Sequence, residues 1–290
     1  MQILDLHQVM LASMFVQIGN SKNAEADEGL IRHMVLNSIR AYNQKFKSKY
    51  GELVIACDSR YYWRKDVFPY YKANRKKNRD ESPLDWEVIF KALHNIRDEL
   101  KEYFPYRIIE VGGAEADDII ATLCFEYGMN FGQRILIISG DKDFVQLHNH
   151  PAVDQFNPIL KKWVKHNSPE AYLKEHVIKG DTGDGVPNVL SNDDVLVRGV
   201  RQATITAGRL EALLKEDYEA DCLKKVISPE TLQRNLARNR LLINMSEIPQ
   251  RIQDEILASF NAQEGKPRKD LFNYFVKFKL KNLMEAIGDF

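Results

Sequence analysis

The chain has 290 residues, 44% of them hydrophobic, enough for one large core or for two domains that share an interface. Lys plus Arg equal Asp plus Glu at 41 each, so the net charge does not point to a polyanionic partner, and any such signal has to be local. No window approaches the roughly 18 uninterrupted apolar residues of a bilayer span, and the N-terminus lacks the basic start, apolar run and cleavage site of a signal peptide; a cytoplasmic protein with no membrane contact is expected. Cys57, Cys124 and Cys222 are odd in number, far apart and outside any zinc-ligand spacing, which predicts reduced core thiols and no zinc.

Short apolar runs alternate with helical patterns in the first half, as in a parallel sheet wrapped by helices. The expected strands cover residues 2–4, 53–57, 107–111 and 134–138. Between the first two, Leu30, Ile31, Met34, Val35, Ile39, Tyr42 and Phe46 recur with a 3.6-residue period and predict an amphipathic helix. A second helix is expected over about 82–104, with Ser82 as N-cap, Pro83 in its first position and Ile89, Leu93, Ile96 and Leu100 on its buried face. After about residue 179 the β-branched runs thin out. The expected fold is α/β: a central, mostly parallel sheet flanked by helices over 1–179, with a smaller, mainly helical C-terminal domain over 180–290.

Three expected strands run into aspartate, "QILD" at Asp5, "LVIACD" at Asp58 and "ILIISGDKD" at Asp141 and Asp143. The fourth, "RIIEVGGAEADD", reaches Glu115, Asp117 and Asp118 where a helix should begin. Any one of these acids reads as a turn residue or helix cap. In an open parallel sheet, however, the carboxyl ends of the strands share one edge, where ligands bind. So many carboxylates brought together cannot all stay ionised unaided. An all-oxygen donor set suits Mg²⁺ or Mn²⁺. Two such ions about 4 Å apart support phosphodiester hydrolysis, one activating water and the other stabilising the leaving oxygen. Asp117 and Asp118 lie about 100° apart around a helix, and spacing leaves open which points inward. Asp181 and Asp184 in "IKGDTGDGVPNV" complete the set if that glycine-rich turn folds over the acidic edge; the turn does not match a calcium loop.

The stretch 60–79 carries eight Lys or Arg against one acid, Asp66, with Tyr61, Tyr62, Trp63, Phe68, Tyr70 and Tyr71 interleaved. It emerges from the strand end that bears Asp58. Cations paired with phosphates, and rings stacked on unpaired bases for roughly 1 to 3 kcal/mol each, are what single-stranded nucleic acid needs. Acids on the sheet edge beside a basic loop read as a metal-dependent nuclease.

The residues "YYKANR", "EADD", "ILIISGDKDF", "KKWVK", "IKGDTGD" and "YFVKFKLKNL" resemble, over nearly the full length, the 5′ nuclease superfamily, which includes the ribonucleases H of T-even phages, flap endonucleases and the 5′ nuclease domain of bacterial DNA polymerase I. The resemblance implies a PIN-like core, a helical arch over about 60–81 and a metal set of Asp5, Asp58, Glu115, Asp117, Asp118, Asp141, Asp143, Asp181 and Asp184. By the family's pattern Asp117 is a direct ligand. Lys72 and Arg75 approach the scissile phosphate from the arch, Tyr71 stacks on a base, and Lys76 and Arg79 extend the nucleic-acid surface. The implied cofactor is two Mg²⁺ or Mn²⁺ ions. The implied reaction is 5′ to 3′ exonuclease, flap endonuclease and ribonuclease H cleavage of DNA and RNA:DNA hybrids, removing primers in lagging-strand synthesis. The resemblance also implies a monomer in an infected bacterial cytoplasm, meeting a single-stranded-DNA-binding protein and a sliding clamp. "GVPNVLSNDD" lacks the second glycine-rich turn of the family's helix-hairpin-helix, so a K⁺ site and that duplex contact are not implied. With four residues before Asp5, a short first strand and no partner-recruiting N-terminal extension are expected.

Two rivals fit less well. A haloacid-dehalogenase-like phosphatase shares an apolar strand followed by Asp-x-Asp, yet leaves the basic stretch and the other strand-end acids unexplained. A non-catalytic DNA-binding module would place an anionic cluster on a surface meant for phosphates, which weakens binding unless metal is present.

Overall fold

The computed structural model describes residues 1–19, 27–82, 84–267 and 270–290. Six strands form one sheet in the order β3-β2-β1-β4-β5-β6, where β1 is Gln2–Asp5, β2 Leu53–Ala56, β3 Arg107–Ile109, β4 Ile135–Ile138, β5 Val153–Asn157 and β6 Lys162–Val164. The first five strands in that order are mutually parallel and β6 is antiparallel to β5. The mostly parallel sheet expected from the sequence is therefore present, with two more strands than the apolar runs announced. All four residues of β1, β2 and β4 are buried, because helices cover both faces and alternate side chains serve opposite cores.

One core sets Leu4, Ile55, Leu136 and Ile138 against α1 (Leu6–Gly19), α2 (Glu28–Tyr50) and a long helix after the basic stretch. The other sets Ile3, Val54, Ala56, Ile135 and Ile137 against the helix that begins after Glu115. α2 buries Ile31, Val35, Ile39 and Phe46 as its period requires, whereas Leu30 is 44% exposed in its first turn. The basic stretch forms α3 (Trp63–Val67) and α4 (Asn74–Asp80). α5 (Trp86–Tyr103) buries Ile89, Leu93, Ile96 and Leu100, each contributing about 1.5 to 3 kcal/mol. It starts later than expected: Asp85, not Ser82, is the N-cap, accepting from the Glu87 and Val88 amides at 3.1 Å. A carboxylate with two free amides to serve outcompetes the serine, whose hydroxyl instead accepts from Leu84 N at 3.3 Å. Pro83 lies outside the described residues.

α6 (Ala116–Leu123) runs on into a π-helical turn over Cys124–Asn130, and α7 (Pro169–Lys179) follows the β5–β6 hairpin. Beyond it the described elements are helical: α8 (Ala207–Leu214), α9 (Asp221–Lys224), α10 (Pro229–Ile243), α11 (Gln250–Ala262), α12 (Leu271–Lys277) and α13 (Lys281–Glu285), with two short 3₁₀ turns. The change in pattern near residue 179 is not a division of the core. Ile252, Ile256 and Phe260 of α11 join one face of the sheet, while Leu271, Tyr274, Phe275, Leu283 and Phe290 join the other. A separate small core, built on Ile178, Val189, Leu213, Leu223 and Leu232, holds the segment between them.

Candidate active site

The strand ends converge as their common direction requires. Asp5 ends β1, Asp58 follows β2 by two residues, and Asp141 follows β4 after Ser139 and Gly140. Asp5 accepts from the Gln8 amide and the Ser139 hydroxyl, both at 3.1 Å. Gly140 packs close: a Cβ there would stand 2.5 Å from Nδ2 of Asn157, and that side chain would have to move. The turn is clamped from β5, where Gln155 Nε2 donates to the carbonyls of Ser139 at 2.9 Å and Asp141 at 2.6 Å. Asp141 and Asp143 are not in extended backbone, as strand alternation would have them. Lys142 is helical, and Oδ1 of Asp141 accepts from Asp143 N at 2.9 Å, which folds the pair into an Asx turn opening a 3₁₀ helix.

Asp5, Asp58, Asp117, Asp141, Asp143, Asp181 and Asp184 line one cleft of about 370 Å³, and Lys65, Lys72, Arg75 and Arg79 line it with them. Burial and the neighbouring Asp58 charge push the Asp5 carboxyl up to about 6. Burial and Asp143 do the same for Asp141, also to about 6. Asp117 is held well above the carboxylate range by burial and Asp141, and Asp181 is raised by burial and Asp184. Two acids go the other way although burial opposes it. His7, with Nδ1 3.2 Å from Oδ2, together with the Ala116 amide at 2.9 Å, holds Asp58 down at about 2. Lys72 and Arg75 hold Asp184 below the usual range.

Glu115 and Asp118 are not in the cleft lining. Both are buried and form the capping box that starts α6, with Asp118 Oδ2 accepting from Glu115 N at 2.9 Å. Arg64, itself buried, lies 2.9 Å from Glu115 and 2.8 Å from Asp118, and Trp63 Nε1 donates to Asp118 at 3.2 Å. Of the two adjacent aspartates, Asp117 thus faces the cleft and Asp118 is occupied inside the fold.

The segment leading into α4 is sewn to the turn after α7. Lys72 N donates to Asp184 O at 2.7 Å, Asn74 Nδ2 to Thr182 O at 2.8 Å and Arg75 Nε to Gly183 O at 3.2 Å. Lys72 also pairs with Glu115, and Arg75 with Asp184. Tyr71 does not present a face to a base: it is 3% exposed, packed with Phe68, Val186 and Ile243. Its hydroxyl donates to Asp184 at 2.8 Å and sits 3.0 Å from Glu115. Trp63 and Phe68 are core residues too, while Tyr61 and Tyr70 are exposed. Lys76 is exposed on α4, outside the cleft lining, and Arg79 lies over the Phe90 ring at 5.7 Å.

Sequence reasoning missed three residues here. His7 and His176 are lone histidines with no spacing signal, and His176 Nε2 lies 3.2 Å from Asp143. Arg64 reads as one more solvent-facing cation of the basic stretch until its burial is seen. In place of a second glycine-rich turn, turns over 189–199 lead into an irregular stretch to 206, held where Asn235 donates to the carbonyls of Val189 and Ser191.

A family model described as "5′-3′ exonuclease, N-terminal resolvase-like domain" matches residues 1–179, and one described as "T4 RNase H, C terminal" matches residues 167–290. Ribonuclease H of Enterobacteria phage T4 is 35% identical over 296 residues, covering 99% of this chain and 95% of its own. The 5′-3′ exonuclease of Buchnera aphidicola subsp. Schizaphis graminum is 27% identical over 199 residues, 64% of either chain. Among solved structures, the bacteriophage T5 flap endonuclease in a pseudo-enzyme-product complex with DNA and metal ions matches with a TM-score of 0.64 at 17% identity, over 90% of this chain and 98% of that one. No helix among the described residues is long and apolar enough to cross a membrane. The chain belongs to the 5′-3′ exonuclease family and is a nuclease of its flap endonuclease and ribonuclease H type, a hydrolase of phosphodiester bonds.

Proposed function

We propose that the protein is a divalent-metal-dependent 5′ nuclease with 5′ to 3′ exonuclease, flap endonuclease and ribonuclease H activity on DNA and RNA:DNA duplexes, removing RNA primers during lagging-strand synthesis. The observation that carries this reading is seven aspartates from five separate segments lining one cleft with four cations. The donor set fits hard divalent ions: the seven offer only carboxylate oxygens, and four of them are raised by burial and by one another's charge, a strain that bound cations would relieve. Asp5, Asp58, Asp117 and Asp141 would hold one ion; Asp143, Asp181 and Asp184 would hold the other. Bound there, the pair would supply an activated water and stabilise the leaving oxygen.

The protein's own groups supply the positioning. Lys65 and Arg79 stand in the cleft as phosphate contacts, and Lys72 and Arg75 are held at its rim by Glu115 and Asp184. Glu115 reaches the cleft through the Lys72 ammonium it pairs with, so its role is to place that cation. A substrate phosphodiester would draw Lys72 and Arg75 from carboxylate to phosphate, two charge-assisted contacts of similar kind.

The test is a product-length assay on end-labelled 5′-flap, nicked and RNA-primed duplexes with Mg²⁺ or Mn²⁺. Cleavage at or near the 5′ end is expected, with Asp141→Asn and Asp58→Asn inactive. Full activity in either variant sinks the metal reading. Efficient hydrolysis of p-nitrophenyl phosphate would favour the phosphatase instead.

A further inference from the structure

α7 ends against the acidic edge, and His176 in its last turn is aimed at the acids. Its ring stacks on Tyr172 one turn earlier, with ring centroids 5.6 Å apart and planes 12° from parallel. Gly180 N donates to the His176 carbonyl at 2.8 Å, fixing the backbone at the end of α7. Nε2 lies 3.2 Å from Oδ1 of Asp143 and 3.7 Å from Oδ2 of Asp181. The nitrogen atom is shut off from solvent and stands between the two carboxylates, which it pairs with when protonated. A cation shared by all three groups would take that proton's place. The spacing suits one. Neighbouring ligands of an octahedral ion at about 2.1 Å stand about 3 Å apart, and one donor atom from each of these residues lies within 4.8 Å of the others.

We propose that Asp143, His176 and Asp181 form a mixed nitrogen and oxygen site, so that the second ion of the cleft is held in part by imidazole and the site selects Mn²⁺ over Mg²⁺. Mg²⁺ takes oxygen ligands and sheds water reluctantly, whereas imidazole gains in strength along the series that starts at Mn²⁺. Tyr172 serves as the orienting neighbour, since a ring held in one plane presents its lone pair in one direction. The inference rests on the two-metal reading of the cleft but adds a ligand that an all-aspartate set does not contain.

The experiment is Mn²⁺ titration of the whole protein by calorimetry, with pulsed electron paramagnetic resonance of the Mn²⁺-loaded sample. Nitrogen modulation from one directly bound imidazole is expected, and it should change when the protein is labelled with ¹⁵N-histidine, a readout that needs no variant. His176→Gln should lose the modulation and weaken Mn²⁺ at one of two sites at least about 10-fold, while Mg²⁺ affinity changes less than twofold. Mn²⁺ binding without nitrogen modulation overturns the proposal. So does a signal that persists in His176→Gln but vanishes in His7→Gln. If Mn²⁺-loaded wild type cleaves flaps yet lacks the nitrogen signal, only this inference fails; if no Mn²⁺ binds, the two-metal reading fails with it.

Discussion

Gly185 passes so close to Tyr70 that a Cβ on it would stand 2.8 Å from the Tyr70 carbonyl oxygen. Its φ of +75° is also one that side chains resist. The turn bearing Asp181 and Asp184 and the strap bearing Lys72 and Arg75 therefore touch backbone to backbone, and both sides of the cleft are set by this contact. Gly185→Ala should cost about 1 to 3 kcal/mol of stability. Cleavage should fall more than metal binding does. Thermal melts with calorimetry and flap assays would check it, and a variant with wild-type melting and cleavage would show that the contact is slack.

Arg64 is the second target. It is buried between Glu115 and Asp118, and removing it leaves Asp118 without a counter-ion inside the fold and Glu115 with Lys72 alone. Arg64→Leu should destabilise by about 3 to 5 kcal/mol, more than Asp118→Asn, which leaves the arginine its second partner. Urea denaturation of both variants measures the order, and the reverse order would mean that Asp118 acts chiefly as the α6 cap.

The raised carboxylates predict how pH acts on the metal-free protein. Asp141 goes from 3.8 to about 6 on folding. A carboxyl raised in this way favours the fold while protonated; the benefit is complete below about 4 and is lost as pH rises through 6. In EDTA, wild type should lose stability between pH 5 and 7 relative to Asp141→Asn, by an amount on the order of 1 kcal/mol after solvent screening. Mg²⁺ should cancel the difference in slope. Parallel melting curves across that range would contradict the proposed crowding of charge.

Lys72→Ala with Arg75→Ala should slow cleavage by about 10²-fold or more while two metal ions still bind. Because Lys72 also neutralises Glu115, Lys72→Arg, which keeps the charge, is the control for stability. Loss of metal binding in the double variant would move these residues from the phosphate to the metal framework.

The parts of the fold legible in the sequence are those where one constraint acts. β1, β2 and β4 are buried on both faces, so they read as apolar runs, and α5 shows its period because one side faces water. β5 hid because it is "VDQFN", a strand whose Gln155 is committed to the Ser139 and Asp141 carbonyls. β6 is three residues long at the sheet edge, and the apolar residues of α1 form no single stripe to count. In the site, Asp5, Asp58 and Asp141 were legible because strand direction brings them together, whereas Asp181 and Asp184 depend on how the turn after α7 folds back. The partners of those acids were not: His7, His176 and Arg64 take their meaning from neighbours far along the chain, and Tyr71 has the composition of a stacking residue but the surroundings of a core one.

Phe290 is 1% exposed, and it closes the same core as α2 and α5, beside Phe104 and Phe275. The cleft acids all precede residue 185, whereas α11 on one face of the sheet and α12 with Phe290 on the other complete the cores that α6 and α1, α2 and α5 begin. A chain held short of α11 would carry every cleft aspartate on a sheet with part of both cores missing. Proteolysis of chains stalled near residue 240 should find the first 180 residues cleavable, and protection there would show that the sheet stands without them.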